Sequence, residues 1–170
     1  KQWSHNCIGL GLSQGFIEPL EATALHLVQV CIQFFIDRFE QGNFSNKYQD
    51  EYNHKMAERF ERVRDYIVAH YKLNTRDDSD YWRANRDNNH LSDSLRHILD
   101  IWYKREDLCK EIERQNLTSH FDSMSWHCLL AGYGVFPPLA DNQPSKGDLY
   151  QEKSIHQFLQ GCALNFDVYK

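Results

Sequence analysis

The residues with the clearest chemical potential stand where a glycine-containing turn leads into a long apolar segment. After Gly15 the chain continues as Glu18-Pro19-Leu20-Glu21-Ala22-Thr23. Proline is favoured just inside a helix start, because its missing N–H would have no partner there and its φ is already helical. A helix N-terminus carries unpaired N–H groups and about half a positive elementary charge, which suits an anion. The pattern therefore predicts a helix start that can bind an anion.

The same pattern has a simpler interpretation, which is a strand, a turn and a helix with two acids in its first turn. Acidic side chains belong in a helix's first turn because they complement the helix dipole. Gly9, Gly11 and Gly15 do not form a dinucleotide fingerprint, because they are spaced G-x-G-x-x-x-G and no ribose-binding acid follows at the required distance. From the pattern alone, both interpretations of Glu18 and Glu21 stay open.

The identity of the residues favours the chemical interpretation. The segments Asn6-Cys7-Ile8-Gly9-Leu10-Gly11 and Gly15-Phe16-Ile17-Glu18-Pro19-Leu20-Glu21-Ala22-Thr23 resemble the late signature of flavin-dependent tryptophan halogenases. That signature runs N-C-x-x-I-G and then G-F-x-E-P-L-E-S-T. Two later segments, 78–85 and 128–134, resemble the family's D-x-x-[FY]-W-R-A-N and C-V-L-A-G-L-G. The likeness covers roughly residues 3 to 137.

The resemblance implies a fold. In this family a flavin monooxygenase-like module is joined to a largely helical substrate module. The glycine-rich FAD fingerprint and the W-x-W-x-I-P motif of the first half do not occur in this sequence. The chain is therefore expected to be the C-terminal portion, mainly α with a short strand and turn at its start. We expect a flavin/halide junction over 1–24, a helical substrate-binding module over 19–139, and a tail with one helix over 140–170.

The resemblance also implies a reaction and its residues. The family uses reduced FAD, dioxygen and chloride or bromide to halogenate an electron-rich aromatic ring such as that of tryptophan or indole. Glu21 matches the active-site glutamate, which orients the halogenating species or accepts the ring proton. Thr23 and Ala24 match the halide site, where alanine can replace glycine if its φ is negative. Leu12 and Leu25 match positions whose backbone touches the flavin.

The substrate end departs from the family pattern. Tryptophan-specific members hold the substrate with a Glu, a Phe-Trp pair and an Asn, and the corresponding residues here are Asn116, His120, Phe121 and Ser125. Phe121 can still stack on an aromatic ring. Losing the carboxylate removes the partner of a free amino group, so an aromatic other than free tryptophan is expected. Ala22 replaces the family's serine, and the family's catalytic lysine belongs to the half not represented here.

Composition limits the function classes. Of the 170 residues, 41% are hydrophobic and 14% aromatic, which predicts a folded domain. A net charge of −5 argues against nucleic-acid partners and acidic membranes. The five cysteines lack C-x-x-C spacing and the nine histidines form no H-E-x-x-H. We therefore expect no metal site, and reduced, mostly buried thiols in a cytoplasmic protein.

Hydrophobic periodicity predicts the helices. The first is expected from about Pro19 to Phe39, apolar nearly all round and therefore buried. The second, from about Asn46 to Lys72, has one apolar face and one charged face exposed to solvent. Asp77 to Asp80 provide capping residues for the helix that follows. Another helix is expected over about 91–102, and residues 108–112 either continue it or follow it. One more is expected over about 123–133.

Three functions remain open. The first is the C-terminal part of a halogenase, which needs its flavin-binding half and a separate flavin reductase and is inactive alone. The second is a free-standing helical module that binds a hydrophobic ligand or a protein partner. The third is a flavin-dependent hydroxylase, against which the E-P-L-E-A-T match argues. A large exposed apolar surface would favour the first over the second.

Overall fold

A computed structural model describes residues 1–117, 120–137 and the single residue Gln157. The chain divides into one unit over 1–137 and another over 138–170. The mainly α fold is confirmed. The tail helix expected within 140–170 lies outside the described residues, and the predicted division at 24 and 139 stays a prediction.

The elements of the first unit, in chain order, are β1 (Trp3–Ser4), β2 (Cys7–Ile8), 3₁₀ turns at Gly11–Ser13 and Leu20–Ala22, and helices α1 (Thr23–Gln41), α2 (Gln49–Lys72), α3 (Asp80–Asp87), α4 (Asp93–Lys104), α5 (Leu108–Arg114) and α6 (Ser123–Gly132).

The short hairpin at the start is anchored to α2. Strands β1 and β2 are antiparallel, with Trp3 opposite Ile8. The Asn53 side chain accepts hydrogen bonds from the backbone N–H groups of Gln2, at 2.8 Å, and Trp3, at 2.9 Å. Its amide also donates to the Trp3 carbonyl at 2.7 Å. One side chain therefore fixes the hairpin, and with it the start of the glycine-containing turn.

Helix α1 has two apolar faces, and one of them is exposed. Leu25, Ile32 and Ile36 are 77%, 39% and 43% exposed. Their spacing of seven and then four residues places them on one stripe of the helix, which we call the α1 stripe. The prediction that the helix is buried all round is wrong for this stripe. The residues that α1 buries are Thr23, Leu27 and Cys31.

Helix α2 is the central element, because it contacts α1, α3, α4 and the hairpin. Its apolar face is buried as predicted. The expectation of a fully solvated opposite face is wrong for Asp65, which is buried and accepts a hydrogen bond from Ser92 Oγ at 2.7 Å. Burial raises the pKa of Asp65 above its usual value. The apolar residues that α2 buries include Tyr52, Met56, Val63, Tyr66 and Ile67.

The largest core lies where α4, α5 and α6 meet the second half of α2. Polar caps start these three helices, because Ser92, Asp107 and Asp122 each accept a hydrogen bond from the backbone N–H three residues later. Such a cap satisfies a donor that has no partner within the helix. The core residues buried most completely are Leu95, Ile98, Ile112, Trp126 and Leu130.

The acids before α3 do not cap it with their side chains. Ser79 occupies the N-cap position, but its side chain accepts no capping hydrogen bond. Each aspartate pairs with an arginine instead, which replaces the predicted capping role by surface ion pairs. The pairs are Asp77 with Arg86, Asp78 with Arg76 and Asp80 with Arg83.

Most described cysteines lie at the surface. Cys7, Cys109 and Cys128 are exposed and only Cys31 is buried, so the prediction of mostly buried thiols is wrong for the part of the chain described. Over the same residues, no helix combines the length and the apolar character needed to cross a membrane.

Candidate functional site

The start of α1 differs from its prediction. Ala22 has φ 52° and ψ 26°, in the left-handed region, and α1 begins at the next residue, Thr23. A left-handed residue interrupts a right-handed helix, so the predicted start at Pro19 is wrong by four residues. Glu21 therefore lies in the 3₁₀ turn before α1, not in the first turn of the α-helix.

This terminus has open hydrogen-bond donors. Ala22, at the N-cap, provides no side-chain acceptor for the first N–H groups of α1. The Thr23 hydroxyl is buried and has no hydrogen-bond partner within the described residues. Buried hydroxyls usually find a partner, so an unpaired one at an anion-favouring helix terminus fits a halide ion. Ala24 has no positive φ and is compatible with such a site.

The two positions predicted to contact the flavin, Leu12 and Leu25, lie at the exposed side of this region. Leu12 sits in the 3₁₀ turn Gly11–Ser13, which contacts α1, and Leu25 sits in the first turn of α1. Gly11 has φ 61°, which favours glycine there. Leu12 is 83% exposed, and Phe16, four residues later in the chain, is 77% exposed. The turn and the helix start therefore offer an open, largely apolar surface that suits a flat ring system.

The four predicted substrate residues line two different cavities. Asn116 and His120 line a cavity of about 150 Å³ between α1 and α2, the α1–α2 cavity. Phe121 and Ser125 line a more open cavity of about 530 Å³ beside α2 and α6, the α2–α6 cavity. The structure therefore brings them together in pairs, not in one pocket.

Phe121 already has an aromatic partner. Its ring stacks on Tyr66 with a centroid distance of 3.7 Å and an interplanar angle of 10°. The Tyr66 hydroxyl donates a hydrogen bond to the Ser125 carbonyl at 3.0 Å. One face of Phe121 is therefore covered by Tyr66, and only its other face or its edge can contact a substrate.

Asn116 is held in place by the residues before it. It has a left-handed φ of 58° and directly follows the buried Gln115. Gln115 donates to Glu111 Oε1 at 2.6 Å and accepts a hydrogen bond from Ser94. Ser94 in turn accepts from Arg62 at 2.8 Å. This network connects α2, α4 and α5, and it fixes the chain where Asn116 reaches the α1–α2 cavity.

Two histidines lie between the α1 terminus and the α1–α2 cavity. The rings of His26, in the first turns of α1, and His120 meet edge to face with centroids 5.6 Å apart. Because His120 also lines the cavity, this contact connects the predicted halide end of α1 with the predicted substrate residues. Among the described residues, no cluster of three histidine, cysteine or acidic side chains could hold a metal ion.

Sequence reasoning missed Arg59, which lines the α1–α2 cavity. Its charge predicts a place on the solvent-exposed face of α2, but its side chain is half-buried. Its position gives the signal, because it follows the buried Met56 by three residues and precedes the buried Val63 by four. Residues at this spacing share a helix face, so Arg59 points toward the same side as the core.

Comparison with known proteins agrees with these observations. A family model described as tryptophan halogenase matches residues 1–146. Tryptophan 6-halogenase ThaL of Streptomyces albogriseolus is 27% identical over 164 residues, which are 91% of this chain and 30% of that protein. Tryptophan 7-halogenase KtzQ of Kutzneria sp. is 34% identical over 84 residues, which are 49% of this chain and 16% of that protein.

Solved structures of halogenases also match this chain. BrvH, a flavin-dependent halogenase from Brevundimonas sp. BAL3, matches with a TM-score of 0.69 and 32% identity over 92% of this chain and 31% of that one. The tryptophan 6-halogenase SttH from Streptomyces toxytricini shares the fold, with a TM-score of 0.74 at 23% identity over 92% of this chain and 31% of that one. The chain thus spans about 30% of the length of ThaL. By its sequence motifs, its fold and its match to the family model, the chain belongs to the tryptophan halogenase family.

Proposed function

We propose that this chain is the part of a flavin-dependent halogenase that holds the halide and the aromatic substrate. The complete enzyme chlorinates or brominates an electron-rich aromatic ring, using reduced FAD and dioxygen. One observation carries the proposal. The family's E-P-L-E-x-T motif lies at the open N-terminus of α1, where the buried Thr23 hydroxyl has no partner within the described residues.

The α1 terminus binds the halide in this proposal. The backbone N–H groups of Thr23 and Ala24 donate to the anion, and the Thr23 hydroxyl supplies a third donor. Bound reduced FAD supplies, with dioxygen, the oxidising power that turns the halide into an electrophile. The backbone at Leu12 and Leu25 would contact the flavin.

Glu21 is the proposed catalytic residue. Aromatic halogenation replaces a ring hydrogen, so a base must accept the proton that leaves the ring. Glu21 is two residues before Thr23 in the chain, in the 3₁₀ turn that leads to the proposed halide site. The same carboxylate can orient the halogenating species before the ring is attacked.

The substrate is proposed to be an indole or another electron-rich aromatic, larger than free tryptophan. Asn116, His120, Phe121 and Ser125 form its binding surface. Asn116 is neutral and offers no charge to an ammonium group, which distinguishes this site from one built for a free amino acid. The division of these residues between two cavities also supports an elongated substrate.

A flavin-binding half is the proposed partner of the α1 stripe. Leu25, Ile32 and Ile36 are exposed in this chain, and large exposed apolar surfaces usually mark interfaces. A separate flavin reductase supplies the reduced FAD. The described cysteines form no disulfide, which supports a cytoplasmic location for the enzyme.

The test is a halogenation assay of the complete enzyme with Glu21→Gln. Reduced FAD, dioxygen, bromide and a panel of indoles are supplied, and brominated product is detected by its isotope pattern. Loss of a positioned acid or base costs about 100-fold or more in rate, so E21Q should fall at least that far. Glu40→Gln, an exposed residue in the last turn of α1, is the matched control and should keep the parent rate. An E21Q enzyme as fast as E40Q would contradict the proposed role.

A further inference from the structure

The α1–α2 cavity is more cationic than the proposed chemistry requires. Its described lining contains three cations, Lys55, Arg59 and Arg62, and one carboxylate, Glu58. Glu58 lies 3.8 Å from Lys55 and 3.8 Å from Arg62, so it partly neutralises those two. Arg62 also donates a hydrogen bond to Ser94 at 2.8 Å.

Arg59 is the cation of this lining that does not pair with Glu58. Within the described residues its guanidinium makes no ion pair and no hydrogen bond with another side chain. It is half-buried, and this burial lowers its pKa from the usual value. Such a partly desolvated cation gains from a bound anion, which would satisfy the guanidinium through two parallel hydrogen bonds.

Apolar walls surround this charge. They are formed by side chains from α1, from α2 and from the segment after α5. A pocket of this composition suits a ligand that carries an anionic group on an apolar chain or ring, because the walls cover its carbon atoms. The apolar lining residues are Val30, Phe34, Met56 and Leu117.

The position of the cavity relates it to the proposed reaction site. Val30 lies seven residues after Thr23 on α1, which is an axial distance of about 10 Å at 1.5 Å per residue. His26 and His120 contact each other between the two points. A ring placed at the α1 terminus would therefore need a side chain of several atoms to bring an anion to Arg59.

We propose that the α1–α2 cavity binds the carboxylate or phosphate group of an elongated aromatic substrate, with Arg59 as its principal ligand. This inference rests on the proposed function, since it assigns the far end of that substrate. The neutral Asn116 at the cavity wall agrees with it, because an anion needs no acidic partner there.

Equilibrium binding to the complete enzyme, without FAD or halide, tests this directly. The probes are indole-3-butyrate, 3-(indol-3-yl)propyl phosphate and 3-(indol-3-yl)propanol, and Kd is measured by calorimetry. We expect at least one anion to bind about tenfold or more tightly than the alcohol. The tighter of the two anions identifies carboxylate or phosphate as the group the site prefers. Equal Kd values for all three probes would overturn the proposal.

Arg59→Gln tests whether Arg59 binds the anion. It should weaken binding of the preferred anion about tenfold while leaving binding of the alcohol unchanged. Arg64→Gln is the matched control, because this change removes the same charge from an exposed site on α2. Arg64 pairs there with Glu61. Anion binding by R59Q equal to that by R64Q would overturn the assignment.

Arg59→Lys keeps the test valid if R59Q unfolds. It preserves the charge but cannot form the two parallel hydrogen bonds, so it should bind the preferred anion more weakly than the unchanged protein and still prefer the anions to the alcohol. Unchanged affinity in R59K, when R59Q is unfolded, would overturn the bidentate assignment. None of these measurements needs FAD or halide. A failure of the complete enzyme to halogenate would therefore count against the proposed function alone.

Discussion

Ala22 holds a conformation that costs an L-residue free energy. Its φ of 52° lies in the left-handed region. The close contact of Cβ with the backbone there costs about 1–2 kcal/mol of free energy. This residue separates Glu21 from the first turn of α1 and so defines where the proposed halide site begins. Backbone strain of this kind is often retained at functional sites.

Ala22→Gly should therefore stabilise the chain. Glycine adopts the left-handed region without the Cβ penalty, so we expect a gain of about 0.5–1 kcal/mol in the free energy of unfolding after its larger chain entropy is included. Ala24→Gly is the matched control. Because Ala24 lies within α1, this change should lose about 0.5–1 kcal/mol. Urea unfolding measures both, and a loss of stability in A22G would show that the left-handed conformation is not strained.

At this scale the sequence predicts identities better than conformations. The motif around Glu21, Thr23 and Ala24 was recognisable from residue types alone. The left-handed Ala22 was not, because a proline at position 19 is the ordinary signal of a helix start. Arg59 was also missed, since a charge among other charges on α2 resembles a solvated residue until its neighbours at i−3 and i+4 are known to be buried.

Among the helices, α5 is held by a buried carboxylate. Glu111 accepts hydrogen bonds from Arg114 at 2.7 and 2.8 Å and from Gln115 at 2.6 Å, and His97 lies 3.5 Å away. The Arg114 guanidinium, with Gln115 and His97, lowers the pKa of Glu111 from 4.5 to about 2. The charged form is therefore favoured in the folded protein. Gln115 connects this carboxylate to the position of Asn116.

The lowered pKa predicts an acid-dependent loss of stability. The folded value lies below the unfolded value, so the contribution of Glu111 is present above about pH 4.5 and is lost as the pH falls toward about 2. Glu111→Gln should cost about 1–3 kcal/mol at neutral pH and should reduce the loss over that pH range. Chemical unfolding at several pH values measures this, with Glu113→Gln, exposed on the same helix, as the control. Parallel pH profiles for E111Q and E113Q would contradict the assignment.

Element prediction succeeded where one face of a helix is buried within this chain. The period of α2 predicts its apolar face, which the structure buries. It failed for α1, because an apolar composition all round indicates burial without showing what covers each face. Among the described residues of this unit, Leu25 stays mostly exposed, and Ile32 and Ile36 stay partly exposed.

For the whole molecule, the α1 stripe bears on the choice between a part of an enzyme and a free-standing module. A self-sufficient domain exposes scattered apolar residues, whereas these three share one face of one helix. The chain also spans about 30% of the length of ThaL. Both observations fit a surface that is covered by a flavin-binding half in the complete enzyme.

Ile32→Lys tests this surface. In the chain alone the change should alter the free energy of unfolding by less than about 0.5 kcal/mol, because the side chain is already exposed. In the complete enzyme it should lower thermal stability and FAD retention, because it would place a charge in an apolar interface. Gln33→Lys, on an exposed neighbouring position, is the control and should affect neither. An I32K enzyme that retains FAD like the control would favour a free-standing module.

The central claim is that the start of α1 binds the halide. Anomalous diffraction from crystals of the complete enzyme grown in bromide tests it most directly. The account predicts a bromide peak within hydrogen-bonding reach of the Thr23 and Ala24 amide nitrogens and the Thr23 hydroxyl. Bromide bound only elsewhere, at a concentration that supports bromination, would contradict it.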